Sequence, residues 1–205
     1  MRRSLPVVLL AVAVALVAGC TGGSHADVPA PTKSVAAAAG AVVLSKADGW
    51  RPALAGAAEA PSYYAVVEIA YDEASARTAW AQNAPTGPLL SGSPVEEGLY
   101  GRFEDVDLAR QRIVVVSTGQ SGSCPGWVTG VAVRPGGTVE LTLGTDGPAG
   151  QTCSADFNAY RTVLAVDRDR LPTATDLTPP PTVLVDGSEV GGDVRVVAYP
   201  FDPAG

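Results

Sequence analysis

The stretch IVVVSTGQSGSCPGWVTGVAVRPGGTVELTL, Ile113 to Leu143, decides the fold. It opens with four consecutive apolar residues, Ile113 to Val116, a run that suits a central strand buried on both faces. Ser117 to Cys124 follows as a small, flexible, polar loop. Trp127–Val133 and Thr138–Leu143 are two β-rich runs separated by the turn sequence Arg134-Pro135-Gly136-Gly137, which predicts a hairpin. In its second arm Val139, Leu141 and Leu143 alternate with Thr138, Glu140 and Thr142, so one face is expected buried and the other wet.

Upstream, Tyr63, Ala65, Val67, Ile69 and Tyr71 share one face of a strand, with Glu68 on the other. Asp72 has the character of a helix N-cap and Glu73 favours the first turn. The helix is expected to run to about Gln82, with Ala76, Ala79 and Trp80 on its core side, until Pro85, Gly87 and Pro88 open a loop reaching about Gly98. Downstream, Gly144 to Gly150 is turn-rich, and Tyr160, Thr162, Leu164 and Val166 share a face of a further strand that ends in Asp167-Arg168-Asp169-Arg170. Pro172 to Pro181 is an extended connection. Thr182–Val185 and Asp193–Tyr199 read as two last strands, with Asp186-Gly187 and Gly191-Gly192 in the turn between them. No internal repeat is present. The expectation is an α+β, β-rich domain, with a mainly antiparallel sheet of about seven strands and one clear helix.

The N-terminus has a basic start (Arg2, Arg3), a 14-residue apolar stretch (Leu5–Ala18), then Gly19 and Cys20. This is the layout of a secretory signal peptide. The apolar stretch is short of the roughly 20 residues that a spanning helix needs. Cysteine directly after Ala18-Gly19 resembles a bacterial lipobox, which implies acylation of Cys20 and attachment to the outer face of the cell membrane. A plain signal peptide with Cys20 incidental, and an uncleaved membrane helix, are the other readings. The organisation expected is a lipoprotein signal peptide at 1–19, a lipidated N-terminus and disordered tether at 20–40, and one globular β-rich domain at 41–205. The tether is small and polar, carries Pro29 and Pro31, and holds His25, the one histidine of the sequence.

With 46% apolar residues the chain can bury a real core. The net charge is −7; without the leader it is about −9, from 12 basic and 21 acidic side chains. Such a surface opposes nucleic-acid binding, which depends on Lys and Arg neutralising phosphates. It also disfavours adhesion to anionic headgroups, so membrane contact is expected through the acyl chains. With Cys20 carrying lipid, Cys124 and Cys153 remain. In an oxidising compartment two leftover cysteines usually bond, the alternative being two free buried thiols. Closing a loop of this length stabilises by roughly 3–4 kcal/mol in the chain-entropy treatment.

Catalytic chemistry has little to stand on. From Ala41 onward there is no histidine, so Ser117, Ser121 and Ser123 lack an imidazole partner, and a pairing with Lys46 has no motif behind it. Zinc needs clustered Cys and His. Asp105/Asp107 and Asp167/Asp169 offer oxygen ligands for calcium but no EF-hand loop, and read as solvated patches. Gly119-Gln120-Ser121-Gly122 lacks the dinucleotide-binding pattern. No metal and no cofactor is expected. Paired carboxylates that hydrolyse a glycan remain an alternative. A Cys124–Cys153 bond would bring Ser121-Gly122-Ser123 against Ser154-Ala155-Asp156, with Trp127 and Asn158 nearby. Ser121, Ser123, Trp127, Asp156 and Asn158 are therefore the candidate binding surface. In the alternative reading the crosslink only staples the domain and Trp127 packs inward.

From Ile113 to Leu171 the order is an apolar strand, a Gly-rich loop, a hairpin, a loop, and a strand ending in Asp167-Arg168-Asp169. This resembles the disulfide-bearing actinobacterial lipoproteins of unknown function and, more distantly, the PrcB-like domain, named for a subunit that stabilises a secreted protease complex. The latter tends to carry Thr-Gly-Gly-Tyr after its central strand, where this chain has Gly119-Gln120-Ser121-Gly122. The resemblance implies a non-catalytic binding or stabilising role at the cell envelope, with an envelope protein as partner. An accessory subunit of a secreted protease is the narrower alternative. If Cys20 carries the anchor, Cys20→Ser is expected to move the protein from the membrane fraction to the medium. A variant that stays membrane-bound with its N-terminal segment intact contradicts the lipoprotein reading.

Overall fold

The Ile113–Val116 run lies in β4 (Gln111–Gln120), whose two faces feed two separate cores. In a computed structural model, residues 40–51, 63–146, 151–190 and 193–203 are described. The expected leader, Cys20, His25 and all of the expected tether but Gly40 lie outside them.

β4 is flanked by β2 (Tyr63–Ile69) and β7 (Asn158–Asp167), both antiparallel to it. The β4–β7 ladder is continuous over ten residues, from Gln111 opposite Asp167 to Gln120 opposite Asn158. β1 (Ala41–Asp48) pairs with β7, with a register shift between Val43 and Ser45, and β3 (Gly98–Leu99) borders β1. β10 (Asp193–Ala198) runs parallel to β2 and completes a six-stranded sheet in the order β10-β2-β4-β7-β1-β3. A second, four-stranded sheet has the order β5 (Gly126–Val133), β6 (Val139–Thr145), β8 (Val183–Val185), β9 (Ser188–Glu189).

Alternation along β4 separates the layers, because successive side chains point to opposite faces. Val114 and Val116 join Val67, Ile69, Leu164 and Val166 and meet Val128, Val131, Val139 and Leu141 of the second sheet. Ile113 and Val115 join Val163 and Ala165 beneath α1 (Glu73–Asn83), where Ala76, Ala79 and Phe103 are buried. The arrangement is helix, six-stranded sheet, four-stranded sheet. α1 starts at a reciprocal cap: the Ser75 N–H donates to Asp72 Oδ1 at 2.7 Å and the Asp72 N–H donates to Ser75 Oγ at 3.2 Å. Trp80 is half-buried, with its ring 6.1 Å from that of Phe103.

The α+β class and the β5–β6 hairpin agree with the sequence reading, but the single sheet of about seven strands does not. There are two mixed sheets, and β6–β8 and β10–β2 are parallel pairs. Thr182–Val185 and Asp193–Tyr199 are not each other's partners: β8 and β10 lie in different sheets. Asp186-Gly187, at φ 48° and 79°, closes the two-residue turn between β8 and β9 instead. A period of two marks a strand but not its sheet, and strands of two or three residues carry no period.

The face of β2 bearing Glu68 is also buried, contrary to a simple in–out strand. Arg51 Nη2 donates to Glu68 Oε1 at 3.0 Å and also to the Phe201 carbonyl, while the Phe201 N–H donates to Glu68 Oε1 at 2.8 Å. Burial pushes the Glu68 carboxyl up; the Phe201 N–H and Arg51 pull it back. Removing one member of such a pair leaves the other charged, buried and uncompensated. Glu68→Ala is expected to lower unfolding free energy by about 3–5 kcal/mol, measured by urea denaturation. A loss below about 1 kcal/mol, the range of exposed pairs, contradicts this.

Candidate functional site

Two loops meet where β4 ends and β7 begins. Cys124 and Cys153 are disulfide-bonded, with Cα atoms 5.5 Å apart, and this joins the loop after β4 to the loop before β7. The pairing expected from the sequence is present. Around it, hydroxyls and one carboxylate form a closed network. Ser121 Oγ lies 2.8 Å from Ser154 Oγ, and Ser123 Oγ lies 2.9 Å from the same atom. Asp156 accepts from Ser121 Oγ at 3.2 Å, from the Gly122 N–H at 3.0 Å, from Asn158 Nδ2 at 2.8 Å, and from Ser154 Oγ. The Ser154 hydroxyl and then the Gly122 N–H hold the Asp156 carboxyl down at about 2. A Cβ on Gly122 would sit 2.6 Å from Asp156 Oδ2, so a side chain there would push the carboxylate out of its present position.

The structure therefore places Ser121, Ser123, Asp156 and Asn158 together, with Ser154 added. It does not place Trp127 among them. Trp127 is 1% exposed, and its ring fills the space over Gly144, where a Cβ would lie 2.6 Å away. Ser117 is buried on β4, away from the loop. Asp156 has its oxygens filled by four donors, an arrangement that fixes a loop.

Beside this clasp stands an aromatic group the sequence reading passed over. Phe157 is 53% exposed, flanked by Trp50 at 6.4 Å between ring centroids and Tyr64 at 6.5 Å. Its ring lies across Gly119, where a Cβ would come within 2.2 Å. The available signal was an aromatic residue between Asp156 and Asn158 in an otherwise polar loop; Trp50, just past β1, and Tyr64, in β2, are distant in sequence.

Lys46 sits under the same end and is fully buried. Its Nζ donates to the Val95 carbonyl at 2.7 Å and to Gln120 Oε1 at 2.9 Å, and lies 4.9 Å from the centre of the Tyr160 ring. Gln120 Oε1 also accepts from the Gly126 N–H at 3.0 Å, so the amine braces the crossing from the first sheet to the second. No serine hydroxyl is bonded to Lys46 among the described residues. The same residues contain no group of three or more metal-ligating side chains and no helix long and apolar enough to cross a membrane. No known protein family, curated protein or solved structure matches this chain.

Burial lowers the Lys46 ammonium from 10.5 to about 8, against the opposing pull of Asp48. Its folded pKa is below its unfolded one, so unfolding takes up a proton between about pH 8 and 10. Stability from this group rises with pH across that window, by less than the one-proton limit of about 1.4 kcal/mol per pH unit. Above it, the tyrosines that burial pushes up, Tyr71 and Tyr199 among them, reverse the slope. Urea midpoints of the wild type are expected to rise from pH 8 to 9.5 and those of Lys46→Met not to rise; parallel profiles contradict the assignment.

Proposed function

We propose that this protein is a non-catalytic binding module of the bacterial cell envelope. In this reading it is exported, held to the outer face of the membrane by lipid on Cys20, and engages a protein partner through the surface around Phe157. The observation that carries the reading is the exposed Phe157, flanked by Trp50 and Tyr64 and pinned four residues from a disulfide. Protein contact surfaces concentrate their energy in a few rigid aromatic anchors with a polar rim, and anchors already held in place lose little freedom on binding. The Ser121–Ser123–Ser154–Asp156 network supplies both the rim and the rigidity.

The acid–base features favour binding over hydrolysis of a glycan. A carboxylate hydrolase needs a carboxyl group held high and open to substrate. Among the described residues, Asp72, Asp156 and Asp176 are held low, while Glu68, which is held high, is buried under Arg51 and Phe201. The PrcB-like resemblance points to a secreted protease as one class of partner.

Phe157→Ser and Trp50→Ala are expected to keep the wild-type thermal midpoint and to lose a co-purifying envelope protein. The affinity loss expected is about thirtyfold or more, as for an anchor worth 2 kcal/mol. Undiminished capture by both variants overturns the surface. Turnover of a cell-wall glycan, abolished by a single Asp or Glu substitution, overturns the non-catalytic reading.

A further inference from the structure

The ten-residue β4–β7 ladder has a second end, about 30 Å from Phe157 at 3.3 Å per residue. A cleft of about 400 Å³ opens there, lined by Tyr71, Asp72, Glu73, Leu108, Arg112 and Arg168, over a floor of Ala70 and Ala76. Its size lies at the lower end of small-molecule sites.

The backbone places the two arginines side by side. Arg112 stands near the start of β4, opposite Val166 in β7, and the Arg168 N–H donates to the Arg110 carbonyl at 2.9 Å. Arg168 is held by its own side chain, which donates to the Leu108 and Gln111 carbonyls. Arg112 is half-buried, and its guanidinium makes no hydrogen bond among the described residues. No ion pair among those residues includes either arginine. Burial, and then the charge of Arg168, lower the Arg112 pKa from its ordinary value, while Tyr71 and Asp72 pull it back.

The acids across the cleft have hydrogen-bond partners of their own. Asp72 accepts the Ser75 N–H as the cap of α1, and Glu73 accepts from Arg77 Nε at 2.9 Å. The helix end is thus filled by its own cap and contributes nothing to an anion site. Two guanidinium groups side by side stand across this partly desolvated cleft from Asp72 and Glu73; Asp72 attracts Arg112 through space without a direct ion pair, so the Arg112 guanidinium keeps its donors open. Such a pair matches the two oxygens of a planar oxyanion. Asp72 and Glu73 disfavour a dianion more than a monoanion, and Ala70, Ala76 and Leu108 give an apolar body somewhere to lie.

We propose that this cleft binds a small organic monocarboxylate, its carboxylate on Arg112 and Arg168 and its apolar body on Ala76 and Leu108. The site is separate from the surface around Phe157 and does not rest on that reading.

The test is titration of the isotopically labelled domain with hexanoate, and separately with inorganic phosphate, followed by NMR. Hexanoate is expected to shift the Arg112 and Arg168 Nε–H signals and the Ala76 and Leu108 methyl signals together, saturating in the millimolar range, with weakening in added salt. Arg112→Gln is expected to weaken binding about tenfold or more, with little change in the thermal midpoint, because it removes the repulsion from Arg168 together with the attraction to Asp72. Ala109→Glu changes an exposed lining residue and places a competing carboxylate at the cleft, so it is expected to abolish the hexanoate shifts in a folded protein. Three results overturn the proposal: no saturable shift with hexanoate, equal affinity in both variants, or phosphate bound in preference to hexanoate.

Discussion

The structure depends on one constraint: β4 must be apolar on both faces because it lies between two cores. Ile113 and Val115 go to the helix layer and Val114 and Val116 to the second sheet. A charged or small residue at any of these four positions would open a gap in an interior packed as densely as an organic crystal. β7 has the same double duty, with Val163 and Ala165 on one side and Leu164 and Val166 on the other. The ladder joining these strands sets the distance between the two ends of the domain. At one end it presents the disulfide clasp and Phe157, at the other Arg112 and Arg168.

The interior of this sheet is not wholly apolar, and its polar groups are arranged by what they must join. Lys46 links the 84–98 loop through Val95 to the end of β4 through Gln120, and Gln120 reaches the start of β5. Arg51 and Glu68 link the turn after β1 to β2 and to the segment beyond β10. Buried charges of this kind contribute little net stability compared with a well-packed apolar substitute. They select one arrangement of strands, because any other leaves an ammonium or a carboxylate without partners in a place water does not reach.

Much of this was legible residue by residue. The 113–116 run marked the central strand, Arg134 to Gly137 marked the hairpin, and Asp72 marked the start of the helix to within a residue. Cys124 and Cys153 paired by elimination once Cys20 was assigned elsewhere. The division into two sheets was not legible, because alternation in 139–143 looks the same whether Val139 faces a helix or another sheet. Nor were the parallel pairs, which depend on where the long 172–182 connection returns. Lys46 was weighed only as a partner for a serine and Glu68 only as the far face of a strand, and their partners, Gln120 and Phe201, 74 and 133 positions away, explain their burial. Of the candidate surface, four residues were placed by the disulfide alone. Phe157 and Trp50 meet through the pairing of β1 with β7, which no local pattern announces.

The parallel seat of β10 beside β2 has a consequence for the order of events on the way to the native state. Until residues 193–201 have been synthesised, β2 ends the sheet as a bare margin, and the carboxylate of Glu68 lacks the amide supplied by Phe201. The margin of β2 is thus closed by a strand that comes 130 positions later, Asp193 opposite Tyr63, so a local segment of the chain cannot complete this sheet by itself.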